Sequence, residues 1–80
     1  MASSEELAEE QRKMRRLRAI VDLTAAVLYQ SNLTTVEAME LVKAAKKSVL
    51  NLFPEKEATF DLIYKPRFER IIKEQLKSNN

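Results

Sequence analysis

A chain of 80 residues without a single glycine has few ways to turn. Glycine is the residue that most often ends helices and supplies tight turns. Its absence removes the usual helix breakers. It also excludes the phosphate-cradling loop and the dinucleotide-binding fingerprint. Cysteine, histidine and tryptophan are absent too. Zinc fingers, disulfide frameworks, thiol nucleophiles and imidazole bases are therefore excluded, and no cofactor is expected.

What remains is rich in helix formers. Apolar residues make up 45% of the chain, enough to collapse into a core. The length suits one domain over residues 1–80, with 1–3 and 78–80 expected to fray. The chain holds 27 large apolar side chains and has neither a disulfide nor a metal to support them. A domain this small has a narrow stability margin, which association with a second chain would widen.

Periodicity predicts an all-α domain of four helices. The first begins near Ser3, where Ser3 and Glu6 have capping-box spacing, and runs to about Tyr29. Leu7, Met14, Val21 and Leu28 recur every seven residues, joined by Leu17 and Thr24. Ile20, Leu23 and Val27 widen this stripe beyond a strict coiled-coil seam. A helix this long spans nearly 40 Å at 1.5 Å per residue, so its front half is expected to project.

Ser31-Asn32 reads as the first break, with Asn32 in the left-handed conformation that glycine usually takes. Thr34 and Glu37 have the spacing of a second capping box, with Leu33 as its hydrophobic staple. The second helix, antiparallel to the first, runs to about Leu52, with Val36, Met39, Val42, Val49, Leu50 and Phe53 on its apolar side. Pro54 stops it. A short third helix is expected over residues 55–64, with Phe60, Ile63 and Tyr64 inward. Pro66 then opens a fourth, with Phe68, Ile71, Ile72, Gln75 and Leu76 on one side.

No arrangement of these residues makes a catalytic site. Glu37 and Glu40 share a face without a histidine to complete a carboxylate metal site. Asp22 lies one turn after Arg18, where an i, i+4 ion pair accounts for it; a partner helix would make it a buried, register-setting charge. The expectation is a non-catalytic interaction module. It is a homodimer, or a partner of another helical protein, through Met14, Leu17, Val21 and Leu28, with Ala25 allowing close approach.

Charge supplies the alternative. Residues 1–40 carry 5 basic and 7 acidic side chains, whereas residues 41–80 carry 9 and 5. Arg12, Lys13, Arg15, Arg16 and Arg18 form one cluster, with Glu9 and Asp22 spaced to neutralise part of it. Arg67, Arg70, Lys73 and Lys77 form a cleaner stripe, which Glu74 dilutes and Lys43, Lys46 and Lys47 extend if the faces align. Lys65 and Arg67 sit where a helix start already presents positive charge. Together with Arg70 they suit a phosphate or carboxylate, and Tyr64 and Phe68 suit stacking on a base. Asp61 and Glu69 are placed to neutralise this cluster. Nucleic-acid or phosphate binding is thus the second expectation, and a net charge of +2 is modest for it.

No stretch is apolar enough to span a bilayer, and the start of the sequence lacks the pattern of a signal peptide. A cytoplasmic location is expected.

Overall fold

The first helix starts where its cap dictates. In the computed structural model, which describes residues 3–30 and 32–78, the Glu6 amide donates to Ser3 Oγ at 3.1 Å. The Leu7 amide donates to the Ser3 carbonyl at 3.0 Å. Ser3 is therefore an anchor of the helix rather than a frayed residue. Residues 1, 2, 79 and 80, also expected to fray, lie outside the described residues, as does the side chain of Ser78. Helix α1 spans Ser4–Gln30.

No described residue has a positive φ. Asn32 thus does not take the expected left-handed conformation, and Ser31 lies outside the described residues. The chain turns through residues 32–34, with Thr34 extended at φ −69° and ψ 163°. Leu33 packs against the core, as a staple should. Both arms of the capping box form. The Glu37 amide donates to Thr34 Oγ1 at 3.1 Å, and the Thr34 amide to Glu37 Oε1 at 2.9 Å. Helix α2 follows over Thr35–Leu52 and ends at Phe53, whose amide still reaches the Val49 carbonyl.

Pro54 opens a 3-10 turn over Pro54–Lys56. From there the chain departs from expectation. One C-terminal helix runs on without a break: α-helical over Glu57–Thr59, π-helical over Phe60–Tyr64 and α-helical again over Lys65–Ser78. The domain therefore has three long helical units rather than four. Proline inside a helix removes an amide donor and crowds the carbonyl four residues back. Here the π turn widens the helix just ahead of Pro66, and the Lys65 amide bonds the Phe60 carbonyl five residues back.

Contacts fix the packing. Lys13 lies over Phe53 at one end of the α1–α2 pair, and Leu28 meets Thr34, Thr35 and Ala38 at the other, so α1 and α2 are antiparallel. Tyr64 lies beside Met14 and Leu17, while Ile72 and Leu76 lie beside Leu28, so the C-terminal helix runs parallel to α1. One core joins all three: Leu17, Val21 and Leu28 from α1; Ala38, Val42, Ala45 and Val49 from α2; and Phe60, Phe68, Ile71 and Ile72 from the C-terminal helix. Phe53 closes one end. The rings of Phe60 and Phe68 lie 6.2 Å apart, and those of Phe60 and Tyr64 5.9 Å apart, both tilted. Buried Thr24 satisfies its hydroxyl on the Ile20 carbonyl at 2.7 Å.

Several expected inward residues point out. Val36 and Met39 are exposed because α2 turns its Ala38–Ala45 edge inward, where two small side chains let the helices approach. Leu23 is exposed on the far side of α1 from Leu17 and Val21. Leu76 is exposed at the end of the bundle. Ile63 is exposed because the wide π turn rotates it off the Phe60 face, while Tyr64 stays half-buried there.

Candidate functional site

Helix α1 is longer than its support. Its 27 residues span about 40 Å, against about 27 Å for the 18 residues of α2. The molecule is correspondingly drawn out, at 54 × 21 × 15 Å. Every residue from Ser3 to Arg12 is exposed, and Lys13, over the Phe53 ring at 5.9 Å, marks the edge of the bundle. Residues 3–12 thus form an overhang.

The expected dimer seam divides at this edge. Leu17, Val21 and Leu28 are buried in the chain's own core, and Ala25 is half-buried. They already pack on α2 and the C-terminal helix, so this part of the seam is not a free surface. Met14 remains 46% exposed. Leu7, one heptad earlier, is 54% exposed. It lies in the same seven-residue stripe, and that periodicity marked it although the expected seam omitted it.

Below Met14 the overhang opens into a cleft. Met14, Leu17 and Val21 line it from α1, and Tyr64 and Arg67 from the C-terminal helix. Arg18 and Asp22 stand at its side, and its volume is ≈ 250 Å³. A shallow trough continues outward along α1 past Arg15, Met14, Gln11, Glu10 and Leu7. Met14 and Arg18 line both, so the cleft and the trough join along α1. Tyr64 joins this surface because the π turn holds it beside Phe60.

The charges around the groove are segregated. Glu5, Glu6, Glu9 and Glu10 occupy the first turns, and Arg12, Lys13, Arg15, Arg16 and Arg18 follow. Among the described residues, none of these forms an ion pair within the chain. The expected Arg18–Asp22 and Glu9–Lys13 pairs are absent, and Asp22 is exposed. Two ion pairs lie elsewhere. Glu40 pairs with Lys43 at 3.7 Å on the surface of α2. Lys46 meets Asp61 at 3.0 Å and ties α2 to the π turn. The hydrogen bond from Lys46 to Asp61 raises the lysine pKa above its ordinary value. Lys46 and Asp61 are thus engaged with each other: Lys46 is occupied rather than extending a basic face, and Asp61 does not neutralise Lys65. Glu37 is held by its cap. The Thr34 amide, then the Thr34 hydroxyl, lower its carboxyl pKa.

The expected anion site is not assembled at one place. Lys65, Arg67, Arg70, Lys73 and Lys77 are all exposed. Arg67 faces the α1 cleft, whereas Arg70 and Lys73 line a separate shallow depression with Pro66 and Glu69. The helix start assumed there does not exist. The Lys65 amide is bonded to Phe60, and Pro66 has no amide proton. Phe68 is fully buried and unable to stack on a ligand. A crevice beneath Leu28, Leu33 and Ala38 has a volume of ≈ 20 Å³, room for about one water. Among the described residues, no group of three or more acidic side chains is placed to hold a metal ion. No helix among them is long and apolar enough to cross a membrane. Compared with known protein families, curated proteins and solved structures, the chain finds no match.

Proposed function

We propose that the chain is a non-catalytic helical interaction module that self-associates through the N-terminal half of α1. One observation carries this reading. The heptad stripe that is buried at Val21 and Leu28 continues as Met14 at the edge of the bundle, 46% exposed, and as Leu7 on the overhang, 54% exposed. A helix held out by a folded bundle, with apolar residues on the same line as the core, is suited to pack against a second helix. The lack of cysteine suits a reducing compartment, and the cytoplasm is the location proposed.

The test is a pair of substitutions outside the core. Leu7→Ser/Met14→Ser is expected to leave helix content unchanged and to reduce the mass seen by light scattering to that of one chain. Equal masses for wild type and variant at every concentration would refute the role of this stripe.

The second reading, nucleic-acid or phosphate binding, rests on the exposed Arg67, Arg70, Lys73 and Lys77. It ranks lower because Arg67 and Arg70 face different depressions and Phe68 is buried. It requires oligonucleotide affinity that falls steeply with salt and is lost in Arg67→Ala/Arg70→Ala. Salt-independent binding, or binding unchanged in that variant, would remove it.

A further inference from the structure

We infer that two copies pair antiparallel, the acidic first turns of each α1 docking along the Arg18–Arg67 cleft of the other. The inference rests on the self-association reading and specifies its geometry. Three features of the groove select this occupant.

The first is chemistry. The cleft offers apolar surface from Met14 and Tyr64 above the buried Leu17 and Val21, and two arginines from different helices, Arg18 and Arg67, outnumber its one carboxylate, Asp22. Its natural occupant is a helix carrying one large apolar residue flanked by carboxylates. The first turns of α1 are such a segment, with Leu7 set among Glu5, Glu6, Glu9 and Glu10.

The second is order along the helix. Acidic residues occupy positions 5–10 and basic residues positions 12–18. Antiparallel pairing about a two-fold axis near residue 12 brings each acidic segment over the partner's basic segment. Parallel pairing stacks acid on acid and base on base. In the antiparallel register Glu6 of one copy comes level with Arg18 of the other and Glu9 with Arg15, while Leu7 comes over the mouth of the cleft, where Met14 and Tyr64 rather than the buried Leu17 offer apolar surface. Arg12, at the axis, lies on the outer face of the heptad and meets no like charge in the seam.

The third is that the charges stand ready. Among the described residues, the acidic and basic segments of α1 make no ion pairs within the chain. An isologous interface uses each segment once on each copy and closes at two, so the assembly stops at a dimer.

Charge exchange tests the pairing. One variant carries Glu6→Lys/Glu9→Lys/Glu10→Lys; the other carries Arg15→Glu/Arg18→Glu/Arg67→Glu. All six positions are exposed, and retained far-UV circular dichroism checks that each variant folds. Each variant alone opposes like charges and is expected to lose about tenfold or more in dimerisation. Mixed one to one, they restore both contacts, and a heterodimer is expected by sedimentation. A wild-type dimer that neither reversal weakens would overturn the antiparallel mode and leave self-association standing. A wild type that sediments as a single chain at all concentrations would overturn both. Variants that weaken the dimer but do not recover on mixing would overturn the pairing of these two segments.

Discussion

Thr34 shows how much one side chain decides. Its hydroxyl and its amide each bond Glu37, closing both arms of the cap on α2. Thr34→Ala is expected to cost about 1 kcal/mol in denaturant unfolding. The cap also makes stability depend on pH. The Glu37 pKa is lowered in the folded chain, so its contribution is complete above the ordinary value of 4.5 and is lost as pH falls through the folded value. Glu37→Gln is expected to flatten this acid limb of the pH–stability profile; an unchanged limb would assign it to other carboxylates. Lys46 works in the opposite sense. Its raised pKa means that its contribution is held below 10.5 and is lost as pH rises through the folded value. The capping box was legible in the sequence because it is local, two residue types at a fixed spacing. The Lys46–Asp61 pair was not, because its partners are 15 positions apart and meet only after the bundle forms.

The C-terminal helix is where local rules and packing diverge. Pro66 reads as a helix start, and in most contexts a proline with helical residues after it is one. The π turn over Phe60–Tyr64 instead lets the helix continue through it. The same turn decides which apolar residues are core. Phe60 is 1% exposed, whereas Leu62 and Ile63 are 78% and 58% exposed. Phe60→Ala is accordingly expected to cost about 3–5 kcal/mol. Leu62→Gln/Ile63→Gln is expected to change thermal stability by less than about 0.5 kcal/mol per site. A large loss from the second pair would mean that Ile63 packs inward as an ordinary α-helix would place it. The π turn has no signature in composition, which is why its consequence for Ile63 was not visible beforehand. The inward face of α2 departs from its hydropathy pattern for a related reason. Val36 and Met39 are more apolar than Ala38 and Ala45, but close helix approach selects the smaller pair.

At the scale of the molecule, a three-helix bundle carries a lever about ten residues long. The length of α1 and its heptad were readable from sequence, and so was the projection that follows from them. Where the bundle would stop supporting α1 was not, because Phe53 and the π turn fix that edge in three dimensions. This is why Leu17, Val21 and Leu28 belong to the core while Leu7 and Met14 do not. The overhang contributes little to the bundle, since all of residues 3–12 are exposed. Deleting residues 1–10 is therefore expected to shift the bundle's unfolding at low concentration by less than about 0.5 kcal/mol while abolishing association. Stability lost in proportion to the deletion would show that the overhang folds back on the bundle. The most direct measurement is sedimentation equilibrium of the full chain from micromolar to millimolar concentration. The mass is predicted to rise from 9.3 kDa toward about twice that value and to stop there. A mass of 9.3 kDa at every concentration would contradict self-association through α1.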